Sequence, residues 1–391
     1  MKHPRSRIRP ILALLLAALL TGCSAGAGSS AAPGSSAPAS SAAPASSVQS
    51  ASSVQSASSA APAKELHLTL ESARLGHRSV IDYAGYIDEN GKIVLSDSLK
   101  PDAPPEIQAL EGMDAIGFWS INGAYFVLRP DATMRVFFSA DGYYTWWEST
   151  ESKATVDAHK QKVADFYADL DQKLQQMHIA DMRTAGFYNE QEFVMFRTTD
   201  GEVYTYDLSF LGETAFQWVR LVDRGAVAIT GNAVLFDNGE IARFRFHGAS
   251  NLDYLDGVRW PDVVDIAVES DFAIGLRADG SIRTHRIEGS DMYQFANTDI
   301  RAQAIYDSNG FVVRTADDRL IELLLLPDCI DPLSPVQCPA DAVAIFQVAS
   351  VGPVALLPDG TLQPVESGIN SMENWTSKFG DGVIRTKMPI Q

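Results

Sequence analysis

Cys329 and Cys338 stand in a proline-rich stretch, PDCIDPLSPVQCP, with eight residues between them. In an exported chain a pair so placed forms most simply a disulfide that pins its own loop. Zinc is the competing use, but two thiolates with no histidine beside them make half a site. A third cysteine, Cys23, follows Leu20-Thr21-Gly22 and offers a thiol for modification. A different chemistry lies in YYTWW, 143–147, where Tyr143, Tyr144, Trp146 and Trp147 fall on both faces of any strand. One face can pack inward; the other, if open, makes a stacking platform for a sugar or an anchor for a peptide. The plainer expectation is that the helical stretch just downstream covers it with Phe166, Leu170 and Leu174. The sequence holds no His-Glu-x-x-His, Gly-x-Ser-x-Gly, phosphate-binding glycine loop or calcium loop. His67, His77, His159, His178, His247 and His285 show no metal-ligand spacing, so neither a metal nor a cofactor is expected.

The surroundings of Cys23 give it a use. Lys2, Arg5, Arg7 and Arg9 form a basic leader, and residues 11–20 are an unbroken apolar run. Ten apolar residues are too few for a permanent membrane span and suit the core of an export signal. Leu20-Thr21-Gly22-Cys23 resembles the lipobox of bacterial lipoproteins. The resemblance implies removal of residues 1–22, lipidation of Cys23, and anchoring on the extracytoplasmic side of a bacterial membrane. Two or more acyl chains anchor stably, as one does not. An ordinary secretory signal with an incidental cysteine is the alternative. Residues 23–63 are almost wholly Ser, Ala, Pro, Gly, Val and Gln, with no charge. Such a segment buries too little to offset its ordering entropy and is expected to be a flexible tether. The whole chain has 31 Lys and Arg against 49 Asp and Glu, a net charge of −18. Loss of the four leader cations leaves about −22, which argues against nucleic acid as a partner.

Whatever holds the aromatic run and the cysteine loop must be built from the one pattern that repeats in residues 64–391. FAIGLRADGSIRTHR, 272–286, is strand, turn and strand, and Asp279-Gly280 is expected to supply the two positive-φ positions of a two-residue hairpin turn. Equivalent turns fall at Asn90-Gly91, Asp131-Ala132, Asp200-Gly201, Asn238-Gly239, Asp317-Asp318 and Asp359-Gly360. Three residues past the first member of each pair stand Ile93, Met134, Val203, Ile241, Ile282, Leu320 and Leu362, all apolar. The residue before each of these is polar, the period-two alternation of a half-buried strand. Successive turns are 41, 69, 38, 41, 38 and 42 residues apart. The long interval contains 151–178, free of Gly and Pro from 151 to 177, with Val156, Val163, Phe166, Leu170, Leu174 and Met177 near one helical face. An amphipathic helix inserted between the second and third units accounts for it.

Units of about 40 residues, each with a short apolar segment upstream of its hairpin, are the signature of propeller blades. The expected fold is therefore all-β: a seven-bladed β-propeller with one inserted helix, behind a signal peptide and a disordered linker. Closure removes the two free edges an open row would leave, and LHLTL, 66–70, with DGVIRT, 381–386, are the candidate closing strands. DVVDIAVESDFAIGLRADGSI, 262–282, and DAVAIFQVASVGPVALLPDGTL, 341–362, resemble the repeat of the regulator-of-chromosome-condensation propellers. That resemblance implies the fold. The family's Gly and His between the two strands are replaced here by residues such as Glu269 and Ser270, so nucleotide exchange on a GTPase is not implied.

The expected function is that of a monomeric, lipid-anchored scaffold that binds a protein, peptide or glycan without catalysis, Tyr143, Tyr144, Trp146 and Trp147 being the candidate contacts. A glycan hydrolase or lyase with acids converging on the channel is the alternative. A transporter's solute-binding lipoprotein would need strand–helix alternation in two lobes, which this chain lacks.

Overall fold

Alternating apolar and polar residues on either side of each Asp-Gly or Asn-Gly pair do fold into hairpins, and these hairpins build seven antiparallel sheets. A computed structural model of the chain describes residues 67–69 and most of 79–387. Within the latter it leaves out 102, 122, 141–150, 186–192, 208–217, 231–232, 245–251, 269–271, 288–293, 296–298, 307–311, 317–319, 323, 326–338, 340–341, 349–350 and 366–370. Residues 1–22, Cys23 and the tether to 63 lie outside the described residues, as do Tyr143, Tyr144, Trp146, Trp147, Cys329, Cys338 and the Asp317-Asp318 turn.

Each sheet is a meander whose first strand is innermost. Blade 1 runs Ile81–Asp82, Gly85–Ile87, Ile93–Leu95. Blade 2 runs Gly117–Ile121, Ala124–Leu128, Met134–Phe138. Blade 3 has four strands, Ile179–Ala185, Phe193–Thr198, Val203–Asp207 and Val219–Val222. Blade 4 also has four, Ala226–Thr230, Ala233–Phe236, Glu240–Phe244 and Leu252–Arg259. Blade 5 has Val263–Val268, Phe272–Arg277, Ile282–Arg286, and blade 6 has Ala302–Tyr306, Val312–Thr315, Leu320–Glu322. Blade 7 has Ala344–Val348, Gly352–Leu356, Thr361–Pro364 and Ile384–Arg385. Gln294–Phe295 and Leu324–Leu325 form a separate short pair.

The apolar side chains do not gather into one core; they fill the seams between successive blades. One cluster joins blades 1 and 2 through Ile93, Phe118 and Val127. The next joins blades 2 and 3 through Phe126, Leu128, Val194 and Phe196. Ile229, Val234 and Met195 join blades 3 and 4, and Leu235, Ile241 and Ile266 join 4 and 5. Ile274, Leu276 and Ile305 join 5 and 6. The last cluster holds Ala304 of blade 6, Val354 and Leu356 of blade 7, and Val80 and Ile81 of blade 1. Every seam is thus occupied and the ring is closed: the fold is a seven-bladed β-propeller. A fully buried residue such as Phe196 contributes about 2 kcal/mol through the area it removes from water.

The turns differ from the expectation in their geometry. In the six described turns only the second residue of the pair has positive φ: Gly91 at 76°, Ala132 at 64°, Gly201 at 79°, Gly239 at 81°, Gly280 at 81° and Gly360 at 85°. At blade 5 the Gly280 N–H donates to Arg277 C=O at 2.8 Å, and the Arg277 N–H to Ser281 C=O at 2.9 Å. This is a three-residue turn with a left-handed residue closing a bulge, in place of the expected two-residue turn. The Asp or Asn has a second duty: its Oδ1 accepts the amide two residues on, as in Asp131–Thr133, Asn238–Glu240, Asp279–Ser281 and Asp359–Thr361.

The left-handed residue is also a joint. Its C=O accepts a backbone N–H from the next segment of chain at all six described turns. The pairs are Ala115 to Gly91 (2.9 Å), Ile179 to Ala132 (2.7 Å), Ala226 to Gly201 (3.0 Å), Trp260 to Gly239 (2.7 Å), Ala302 to Gly280 (2.8 Å) and Thr386 to Gly360 (2.8 Å). At two of these joints the approach leaves no room for a side chain: a Cβ on Gly239 would lie 2.2 Å from Pro261 N, and one on Gly360 2.5 Å from Thr386 O.

Closure does not use the two segments expected to pair. Residues 381–386 do supply the outer strand of blade 7, Leu362 opposing Ile384. The Leu68 N–H, however, donates to Ala278 C=O at 2.8 Å, which places 67–69 on the hairpin of blade 5, far round the ring. Blade 1 is reached instead through its apolar seam and through the Lys387 N–H, 3.0 Å from Asp88 C=O.

Three helices lie among the described residues: α1 (Pro105–Gln108), α2 (Lys153–Leu174) and α3 (Ser371–Phe379). α2 is the expected insertion. The Ser152 hydroxyl accepts the Thr155 N–H at its start, and Val156, Val163, Tyr167, Leu170 and Leu174 are its buried face. Phe166, expected on that face, is only half-buried, and Tyr167 takes the deep position against Phe126 and Phe138. α2 occupies the place of a fourth strand in blade 2, where the Asp171 carboxylate accepts the edge amide of Val136 at 2.7 Å and pairs with Arg135 at 3.0 Å. Blade 1 is finished alike, Glu111 Oε2 accepting the Leu95 N–H at 2.7 Å. A carboxylate on an edge amide removes a site at which another strand could pair.

Candidate functional site

The ring has two unlike ends. One carries the hairpin turns; the other carries the turns between first and second strands and the exits of the third strands. At this second end Asp82 closes the inner strand of blade 1, opposite Gly85, and Ser120 stands near the end of the inner strand of blade 2, opposite Tyr125. The pleat turns both polar side chains toward the same seam. The Ser120 hydroxyl donates to Asp82 Oδ1, and the Ser120 amide lies 3.2 Å from Oδ2. The Ala84 N–H adds a contact to Oδ1 at 3.3 Å. The Tyr83 phenol stands beside Ser120 and Tyr125, and Tyr125 stacks on Phe118 with ring centroids 6.4 Å apart. From α3, Lys378 Nζ lies over the Tyr83 ring, 5.4 Å from its centroid.

Burial dominates the electrostatics here. It pushes the Asp82 carboxyl up against the opposing pull of Ser120, Ala84 and Tyr83. It raises the Tyr83 and Tyr125 phenols as well, the first with help from the Asp82 charge and the second with help from the neighbouring Tyr83. Both phenols therefore stay protonated and can donate at neutral pH. At the hairpin end the same residue type behaves oppositely. Asp131, Asp279 and Asp359 are held below the usual carboxylate range, first by the Thr133 hydroxyl, the Ser281 hydroxyl and the Thr361 amide respectively.

Serine activation calls for an imidazole between hydroxyl and carboxylate. In this cluster hydroxyl and carboxylate meet directly, so its capability is polar recognition beside an aromatic face. Among the described residues no group of three His, Cys, Asp or Glu is placed to hold a metal ion, and no helix is long and apolar enough to cross a membrane.

Of the residues singled out from sequence, Tyr143, Tyr144, Trp146 and Trp147 lie outside the described residues, with Cys23, Cys329 and Cys338. The chain leaves toward the aromatic run from Phe138, which opposes Ala124 at this same end of the ring. Asp82, Tyr83, Ser120 and Tyr125 carried no motif in the sequence. The one available signal is a polar residue, Asp82 or Ser120, at the end of an otherwise apolar inner strand.

No family model matches the sequence, and no curated protein does. Among solved structures, Prp20p from Saccharomyces cerevisiae, described with its binding to Gsp1p and histones, is similar at 13% identity and a TM-score of 0.35, over 47% of this chain and 56% of that one. Yeast RCC1 (Prp20) bound to Kap60 is similar at 15% identity and a TM-score of 0.32, over 47% and 55%. A chain of the mitotic checkpoint complex matches at 14% and 0.35, over 62% and 72%. The matched region takes in little more than half of the two yeast chains. The fold assignment rests on this chain's own seven sheets and their filled seams.

Proposed function

We propose that the chain is a membrane-anchored extracytoplasmic lipoprotein whose propeller binds a protein, peptide or glycan, using the end of the ring that carries Asp82, Tyr83, Ser120 and Tyr125. The observation behind the recognition half is the cross-blade cluster itself: two protonated phenols, a hydroxyl and a carboxylate from two blades, beside a cationic side chain, on a rigid closed scaffold. Tyr143, Tyr144, Trp146 and Trp147 would extend that surface, since the chain departs toward them from the same end. The anchoring half rests on Leu20-Thr21-Gly22-Cys23 behind an apolar run and ahead of an uncharged tether. A glycan hydrolase working through Asp82 would need a second carboxylate facing it; among the described residues the groups that act on Asp82 are the Ser120 hydroxyl and backbone amides.

The test is a capture experiment from envelope extract with the full chain in detergent, run beside a Tyr83→Phe, Tyr125→Phe double variant and a Trp146→Ala, Trp147→Ala double variant. A partner retained by the parent and lost by either variant supports the reading. Equal recovery of every partner by all three would remove this end of the ring from recognition. Acyl mass on the peptide containing Cys23, absent after Cys23→Ser, checks the anchor.

A further inference from the structure

We propose that Asn90, in the hairpin turn of blade 1, is a site of spontaneous modification to aspartate or isoaspartate, while Asn238 in the matching turn of blade 4 is protected. Both turns carry Asn-Gly, and the missing Cβ of the glycine leaves its nitrogen approachable in each. The step needs only water. The Gly91 nitrogen forms a bond to Asn90 Cγ and loses its proton to solvent. The Cγ–Nδ2 bond breaks, and the departing nitrogen takes up a proton and leaves as ammonia. Water then opens the cyclic imide at either carbonyl, which gives an aspartyl or an isoaspartyl link.

The backbone cost is shared, since the Gly91 N–H donates to Asp88 C=O at 3.0 Å and the Gly239 N–H to Phe236 C=O at 2.9 Å. Two other features differ. At blade 4 the Asn238 side chain is held by both its polar atoms: Oδ1 accepts the Glu240 N–H at 2.9 Å, and Nδ2 donates to Glu240 Oε2 at 2.9 Å. At blade 1 Asp88 has taken over the acceptor duty of the turn, its Oδ1 accepting the amides of Asn90 at 2.9 Å and Lys92 at 2.8 Å. Asn90 is left exposed. Among the described residues its side chain makes one hydrogen bond, from Nδ2 to Asp88 Oδ2 at 3.3 Å. Room for the cyclic imide differs as well. A Cβ built on Gly91 would meet nothing nearer than Lys387 Cδ at 3.7 Å, whereas one on Gly239 would strike Pro261 N at 2.2 Å. The product bears on the ring. An isoaspartyl link lengthens the main chain by one carbon just before Gly91, whose C=O is the acceptor for the Ala115 N–H.

The experiment incubates the full chain in detergent at mildly alkaline pH and follows the peptides containing residues 90 and 238 by mass. The readout is exchange of an amide NH2 for OH. Conversion at Asn90 about tenfold faster than at Asn238 is expected, the worth of roughly one further hydrogen bond that must break. In denaturant, where neither turn is held, the two rates should converge. Isoaspartyl product at 90, recognised by fragmentation of the main chain, marks passage through the imide. Asn90→Gln should end the conversion there, because its longer side chain closes the ring far more slowly. Equal native rates, faster conversion at 238, or a ratio that persists in denaturant overturns the proposal. So does aspartate at 90 without isoaspartate, or undiminished conversion in Asn90→Gln.

Discussion

Aspartate does opposite work at the two ends of this ring. At the hairpin end Asp131, Asp279 and Asp359 sit in water and accept amides and hydroxyls of their own turns, so the charged form is favoured. At the other end Asp82 is withdrawn into the seam between blades 1 and 2, where burial penalises its charge and Ser120 and Ala84 only partly offset the penalty. The first arrangement is repeated around the ring and serves the fold. The second lies in the seam between blades 1 and 2, where the Asp82 carboxyl is held by the Ser120 hydroxyl and by backbone amides, and a carboxyl perturbed in this way is a candidate for a site rather than for the fold.

The comparison breaks hardest at the joints. Gly239→Ala puts a methyl group into Pro261 at a left-handed position and is expected to cost about 3 kcal/mol or more. Gly112→Ala has a similar φ of 77° but nothing within 4 Å, so about 1 kcal/mol is expected. Equal denaturant midpoints for the two would dismiss the joint. Next, Asp171→Ala strips the edge of blade 2 of its acceptor and should cost about 2 kcal/mol by the same measurement, while Glu111→Ala probes the same device in blade 1.

The pH dependence sharpens the contrast between the aspartates. A folded-state pKa held below that of the unfolded chain, about 3.9, adds stability that is present above that pH and lost as pH falls through the folded value. Asp279→Asn should therefore be less stable than the parent at pH 7, the difference vanishing in acid. Asp82 has the reverse sign: its raised value means the burial penalty is absent in acid and sets in as pH rises through it. Asp82→Asn should gain on the parent from acid toward neutrality, and denaturant midpoints between pH 3 and 7 that move together in the two variants would erase the distinction. The smallest effect has the opposite direction. Ala132 alone among the described turns holds a left-handed φ without being glycine; Ala132→Gly is expected to stabilise by roughly 0.5–1 kcal/mol in thermal unfolding.

Much of the wheel could be seen before any coordinates, because its signals are local. The period-two alternation around each turn, the spacing near 40 residues and the interruption by a helix all lie within a few tens of residues. The helix expected over 151–178 is Lys153–Leu174, and Val156, Val163, Leu170 and Leu174 are buried as its periodicity required. The turn type was misjudged for a local reason too: Asp-Gly suits both the two-residue turn and the bulged three-residue one, and the joint to the next blade selects the latter.

Sequence by itself determined the repeat, the number of blades and the inserted helix, since each depends on residue type and short spacing. Tertiary structure alone decided the rest. Asp82 and Ser120 meet across 38 residues, Val80 and Ile81 share a seam with Phe346 and Leu356, and Leu68 lands on blade 5 rather than closing the ring. No pattern along the chain encodes such meetings: they follow from ring closure, which sets distant strand ends side by side once every blade has found its neighbour.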